Sequence, residues 1–172
     1  MSQAPARAYS PTVQETQVLY PDYGWYRLQA RSDNEESEPE VDCDHPNPIG
    51  YADDTGGIWL SAITEYGPAD ITLEVLPVGA EPLLRDGAEV VYDGQFYVEE
   101  IDEDTGVIES RQGDLGLITW ATRLDWGTWR AVIQAQGREE HFHADLEWYS
   151  VDHGDERQPV IEHWWVSIID TE

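Results

Sequence analysis

Lysine is absent from this sequence: all 9 basic residues are arginines, set against 36 aspartates and glutamates. The formal net charge is therefore -27 at pH 7. DNA, RNA and anionic membranes would all repel such a chain, so we predict no direct binding to nucleic acid or to a membrane. The charge favours a basic partner, with salt adaptation or plain solubility as the alternative interpretation.

Cysteine and long apolar runs are nearly absent too. Cys43 stands alone, so no internal disulfide can form and a disulfide-stapled secreted module is excluded. No stretch approaches the ~18 apolar residues of a membrane span. The first twenty residues lack the positive start and apolar run of a signal peptide. We therefore expect a cytoplasmic protein.

Catalytic signatures are missing as well. The sequence contains no Gly-x-Ser-x-Gly elbow, P-loop or dinucleotide-binding fingerprint. Cys43 lies among carboxylates, which disfavour the reactive thiolate. We predict that the chain is not an enzyme, and we assign it no catalytic residue, no metal and no cofactor.

The sequence is rich in aromatic and β-branched residues arranged in short alternating runs. Its 8 tryptophans and 9 tyrosines are more than a disordered acidic chain would carry. Turn residues recur roughly every 8–12 positions, and no segment sustains the three-and-four apolar spacing of an amphipathic helix. The pattern predicts an all-β fold, a single antiparallel β-sandwich of about eight to ten strands.

The predicted domain covers residues 13–172 and follows a flexible tail at residues 1–12. Residues 32–48 are an insertion in the domain that we expect to be a solvated acidic loop. Residues 141–151 are interpreted as a strand. The carboxylates of the loop are Asp33, Glu35, Glu36, Glu38, Glu40, Asp42 and Asp44.

Three acidic turns supply the candidate partner-binding residues. In the third of them, Asp125 stands beside Trp126, and an indole next to a carboxylate at a turn is typical of a protein-binding hot spot. Solvated turn carboxylates and ordinary edge packing are the alternative interpretations. The predicted partner-binding set is Asp53, Asp54, Asp102, Glu103, Asp104, Asp125 and Trp126.

Two histidines support a different hypothesis. On a strand, His141 and His143 would project from one face, with Glu147 on the same face. This run resembles the first metal-binding motif of cupins, which pairs His-x-His with a later glutamate and glycine. The resemblance implies a cupin-like metal-dependent enzyme. Surface histidines that soften the surrounding negative charge are the alternative.

Residues 50–58, Gly-Tyr-Ala-Asp-Asp-Thr-Gly-Gly-Ile, are similar to a Gly-Tyr-Ala, Asp-Gly, apolar-strand segment of the competence protein J family. The aromatic run at 25–29 and the apolar closing run at 164–170 fit the same order. The resemblance implies a β-sandwich that inhibits a DNA-entry nuclease.

Charge and resemblance together predict a non-enzymatic protein of the inhibitor or immunity type. It would neutralise a basic partner, a nuclease or another DNA-binding protein. A third hypothesis is an accessory structural subunit of a larger assembly.

Overall fold

The computed structural model describes residues 13–22, 24–30, 49–53, 56–63, 67–98, 106–112, 115–148, 150–154, 156 and 158–171. The predicted tail at 1–12 and the acidic loop at 32–48 lie outside these residues. The described part of the chain forms ten strands and one helix. In chain order these are β1 (Val13–Leu19), β2 (Trp25–Ala30), β3 (Gly50–Ala52), β4 (Gly57–Ser61), β5 (Ala69–Leu76), β6 (Glu89–Val98), β7 (Val107–Arg111), β8 (Leu117–Arg123), β9 (Gly127–Gln136), α1 (Arg138–Trp148) and β10 (Glu162–Asp170).

The strands make two five-stranded sheets, ordered β1-β5-β10-β9-β6 and β3-β4-β2-β7-β8. One cluster of buried apolar side chains draws on both sheets, including Leu60 and Trp120 from the second and Ile71 and Trp164 from the first. The alternating pattern explains this: in β5, Ile71 is fully buried while its neighbour Thr72 is not. The prediction of a mostly β protein is confirmed, whereas the single sandwich and the domain boundaries stay predictions.

The first sheet is mixed rather than antiparallel. Strand β10 runs parallel to β5, with Trp164 paired to Ile71, and antiparallel to β9. The prediction of a purely antiparallel arrangement is therefore wrong for this pair. No hairpin links β5 to β10, which are far apart in the chain, so no short turn fixes their relative direction.

The predicted strand at 141–151 is also wrong, because residues 138–148 form the helix α1. Gly137 precedes the helix, and its carbonyl accepts the His141 N–H at 2.9 Å, the first hydrogen bond of the helical turn. Glu139 and Glu140 lie in the first turn, where negative charge suits the positive end of the helix dipole. The one buried residue of α1 is His141, so no apolar stripe marks the helix in the sequence. Among the described residues, no helix has the length and apolar character needed to cross a membrane.

Side chains join the two sheets where their edge strands approach each other. On one side, the Tyr92 hydroxyl of β6 donates to the Ala52 carbonyl of β3 at 3.2 Å. On the other, a carboxylate oxygen of Glu15 in β1 accepts the backbone N–H groups of Ala121 and Thr122 in β8 at 2.9 and 3.2 Å. Glu15 thus satisfies donors on an edge strand that would otherwise be open to pairing.

These hydrogen bonds make part of the stability depend on pH. Burial raises the pKa of Glu15, but the hydrogen bonds from Ala121, Gln17 and Thr122 lower it by more than burial raises it. The pKa of Glu15 therefore lies below its ordinary value of 4.5. A carboxyl group with a depressed pKa stabilises the fold above its unfolded pKa, and this contribution is lost as the pH falls through the folded pKa. At pH 7 we expect wild type to unfold at a higher urea concentration than Glu15→Gln. This difference in midpoint urea concentration should close as the pH falls below 4.5. Glu89→Gln, on an exposed residue, is the control; a gap for Glu15→Gln that is the same at every pH would contradict the assignment.

Gly106 occupies a position where the fold leaves no room for a side chain. Its φ is 81°, and a Cβ there would overlap the carbonyl oxygen of Leu124. Gly106→Ala should therefore lower the free energy of unfolding by more than the ~1–2 kcal/mol that a left-handed conformation costs by itself. Gly79→Ala is the matched control, since its φ is 75° and nothing lies within 4 Å of the added Cβ. Equal losses for the two variants in urea denaturation would show that the Leu124 contact is unimportant.

Candidate partner-binding site

Trp126 lies in the turn between β8 and β9, with 60% of its surface exposed. The turn around it is held in place: the Asp125 carbonyl accepts the Trp129 indole N–H at 3.0 Å, and the Leu124 N–H donates to the Gly106 carbonyl at 3.0 Å. Asp125 is exposed as well. A fixed turn therefore presents a bare indole next to a carboxylate.

A second exposed aromatic residue lies at the same end of the first sheet. Strand β6 pairs with β9 so that Tyr97 is opposite Thr128 and Val98 is opposite Gly127. Tyr97 thus lies opposite the first residues of β9, which follow Trp126 in the chain, and we call Tyr97, Asp125 and Trp126 together the 126 surface. The sequence analysis missed Tyr97, because its proximity to Trp126 depends on strand pairing and register.

The predicted turn at Asp53 reaches this end too. It joins β3 to β4, and a Cβ on its residue Gly56 would lie 3.5 Å from the Tyr97 carbonyl oxygen. The Asp53 carboxylate accepts the Gly57 N–H at 2.7 Å and the Trp59 indole N–H at 3.0 Å. Asp53 therefore holds the hairpin formed by residues 50–58. Asp54 lies outside the described residues.

The predicted acidic turn with Asp102, Glu103 and Asp104 also lies outside the described residues. The residues on either side of the undescribed segment 99–105 are described, and both contact the turn that carries Trp126. Val98 pairs with Gly127, and the Gly106 carbonyl accepts the Leu124 N–H. Val98 and Gly106, the residues on either side of segment 99–105, therefore both lie beside the turn of Trp126.

One arginine lies next to this surface, between two carboxylates. Arg130 makes two 2.9 Å hydrogen bonds to Asp93 and one of 2.9 Å to Glu81. These contacts raise the pKa of Arg130 above its ordinary value, and the hydrogen bonds from Arg130 lower the pKa of Asp93. Two carboxylates against one guanidinium leave this corner negative.

The other arginines are engaged as well. Each one in the described ranges takes part in an ion pair, a hydrogen bond, an aromatic contact or another electrostatic interaction. No arginine of the described surface is therefore left over to balance the excess of carboxylates. The six are Arg27, Arg85, Arg111, Arg123, Arg130 and Arg138.

The histidine pair does not have the geometry predicted for it. On α1, successive side chains turn by about 100°, so residues two apart point in nearly opposite directions. His141 is fully buried, with Nδ1 2.7 Å from a Glu162 oxygen, whereas His143 and Glu147 are exposed. The prediction of one shared strand face is therefore wrong. Within the described ranges, no group of three or more His, Cys, Asp or Glu residues could hold a metal ion.

No known protein family matches the sequence, and no curated protein resembles it significantly. Among solved structures the fold recurs, and the chain shares the architecture of small β-rich proteins similar to ComJ. ComJ from Bacillus subtilis, described as an inhibitor of the DNA degrading activity of NucA, superposes with a TM-score of 0.57 at 13% identity, covering 91% of this chain and 96% of ComJ. A protein described as crocagin biosynthetic gene J gives a TM-score of 0.47 at 12% identity, covering 94% and 100% of the two chains. The resemblance of residues 50–58 to the competence protein J family is thus confirmed at the level of the fold.

Proposed function

We propose that this chain is a non-enzymatic inhibitor that binds and neutralises a basic protein, a nuclease or another DNA-binding protein. It makes this contact through the acidic end that carries the 126 surface, and it binds no nucleic acid itself. The residues assigned to the contact are Asp53, Asp54, Asp102, Glu103, Asp104, Asp125 and Trp126.

The observation that supports this proposal is that described residues at or beside the three acidic turns meet at one end of strands β6 and β9. The Asp53 turn packs against the backbone of Tyr97. The described residues on either side of segment 99–105 contact the turn of Trp126. We infer from these contacts that the acidic residues of the three turns, which are far apart in the sequence, would act together with the exposed indole. Hot spots are enriched in tryptophan, tyrosine and arginine, so an exposed indole is a suitable anchor for such a contact.

The negative charge of this chain suits a partner protein that itself binds a polyanion such as DNA. A nuclease needs a positive surface to hold phosphates, and the carboxylates assigned to the contact would occupy that surface in their place. A net charge of -27 also steers a positive partner toward the chain, raising the association rate at low salt. Binding should therefore weaken steeply as salt is added.

The comparison with known structures supports the same class of function. ComJ is described as an inhibitor of a nuclease activity, and its chain matches this fold over almost its whole length. The absence of nucleophile, P-loop and dinucleotide motifs agrees with a protein that acts by binding rather than by catalysis.

Affinity capture followed by an activity assay tests the proposal. The immobilised chain is exposed to a lysate of its own host at low salt, bound protein is released by a salt step, and the purified partner is assayed on DNA with increasing amounts of the chain. We expect a basic protein whose DNA cleavage or DNA binding falls as the chain approaches equimolar amounts. Direct mixing of the chain with duplex DNA should give no mobility shift.

Two results would overturn the proposal. One is recovery of nothing at low salt. The other is a captured protein whose action on DNA does not respond to the chain, which would favour the accessory-subunit hypothesis. Glu89→Gln is the control for loss of charge alone, because Glu89 lies far from Trp126 along β6. This variant should inhibit the partner's action on DNA as well as wild type does.

A further inference from the structure

Helix α1 is attached to the protein by its polar side chains. His141 is fully buried against Glu162. The Arg138 guanidinium donates to the Ser61 carbonyl at 2.9 Å, and Asp145 accepts the Gln158 amide at 2.7 Å. The inward face of the helix is therefore held by hydrogen bonds rather than by apolar packing.

Two of the three large apolar residues of α1 point to solvent instead, while the third, Trp148, stacks on the His153 ring. Phe142 is 43% exposed and Leu146 is 59% exposed. Residues four apart lie one above the other on a helix, so the two form a continuous ridge. Surface helices ordinarily turn their apolar stripe toward the core, and the arrangement here is the reverse.

An acidic row runs beside the ridge. Glu139, His143 and Glu147 follow one another at the same four-residue spacing, and all three are exposed. Arg138, the only arginine of α1, points away from this row, since its guanidinium binds the Ser61 carbonyl. The outer face therefore offers an apolar ridge bordered on one side by negative charge.

We propose that this face of α1 is a docking site for a basic amphipathic helix of another protein. Apolar side chains of that helix would cover Phe142 and Leu146, and its lysines or arginines would face Glu139 and Glu147. Two helices packed through such ridges are a common pairing. The site is separate from the 126 surface: the two lie at opposite ends of β9, a strand whose ten residues span roughly 33 Å. It does not depend on the partner being a nuclease.

Charge argues against the occupants that the chain itself could supply. Residues 31–48 contain seven carboxylates and one arginine, so the acidic row would repel them. A second copy of the chain would bring a net charge of -27 and the same acidic row to the contact.

The test measures binding of a synthetic peptide, roughly 18 residues of leucine and lysine at amphipathic helical spacing, by fluorescence anisotropy at moderate salt. Phe142→Gln/Leu146→Gln removes the ridge without changing the charge, and glutamine keeps a high helix propensity. The matched control is Leu83→Gln/Leu84→Gln, which makes the same kind of change at leucines 66% and 68% exposed on another surface. Melting curves check that all variants stay folded.

We expect the α1 variant to bind the peptide about tenfold more weakly or worse, with the control and Trp126→Ala unchanged. Glu139→Gln/Glu147→Gln should weaken binding and flatten its salt dependence. Equal affinity for wild type and the α1 variant would overturn the proposal, as would the same loss in the control or in Trp126→Ala. Self-association in sedimentation that disappears in the α1 variant would assign the ridge to a second copy and also overturn it.

Discussion

Replacing Glu162 with alanine should lower the free energy of unfolding by about 3–5 kcal/mol, the usual cost of removing one member of a buried charged group. Glu162 is fully buried at the start of β10. One of its oxygens accepts the Trp164 indole N–H at 2.6 Å and lies 3.7 Å from Arg138, and the other is 2.7 Å from His141 Nδ1. Alanine would leave all three without this acceptor in a place that water does not reach.

Urea denaturation of three variants separates this loss from the loss of charge alone. Glu162→Gln keeps one oxygen as an acceptor, so it should lose less than Glu162→Ala. Glu156→Ala removes an exposed carboxylate whose ion pair with His153 is worth at most about 1 kcal/mol. For a chain of this length the alanine variant should melt roughly 10 °C lower than wild type. A loss for Glu162→Ala no larger than that for Glu156→Ala would mean that the group contributes little to stability.

The same carboxylate explains why the sequence pointed to a strand where the protein forms a helix. Amphipathic helices are recognised by apolar residues at three-and-four spacing. In α1 the residue at the centre of the buried face is His141, and its partner Glu162 is 21 residues further along the chain. A buried polar pair between distant residues leaves no periodic trace, so the alternating pattern around Phe142 suggested a strand instead.

Many of the strands could be predicted because apolar residues alternate along them with a period of two, although β4 is buried along its whole length. Strands β5 (Ala69–Leu76) and β9 (Gly127–Gln136) appear in the sequence as alternations of apolar and other residues. The parallel pairing of β5 with β10 could not be predicted. It depends on which strands meet in space, and neither strand carries a local signal of its direction.

The candidate site was predictable in its chemistry but not in its assembly. The sequence marked Asp53, Asp125 and Trp126, whereas the approach of the β3–β4 hairpin to Tyr97 and the pairing of β6 with β9 follow from the fold. The internal use of Asp53 could not be seen in advance either. Its hydrogen-bond partners, Gly57 and Trp59, depend on the geometry of the hairpin.

Trp126→Ala should weaken binding of the captured basic partner by 2 kcal/mol or more, which is about 30-fold in Kd. An indole that is 60% exposed on a turn fixed by Trp129 and Gly106 loses little conformational freedom when it is covered, so most of its burial appears as affinity. The stability of the free protein should barely change, because the removed side chain has few contacts to lose. Titration calorimetry against the purified partner measures the first effect, and urea denaturation measures the second.

Truncation of another exposed apolar residue to alanine distinguishes a specific anchor from nonspecific hydrophobic binding. Leu84 is 68% exposed and lies away from the 126 surface, so Leu84→Ala should leave the Kd within about twofold of wild type. Raising the salt should weaken binding of wild type and Trp126→Ala in parallel, because the indole carries no charge and the carboxylates remain in both. If Trp126→Ala binds as tightly as wild type at every salt concentration, the partner contacts another face, and the 126 surface is not the binding site.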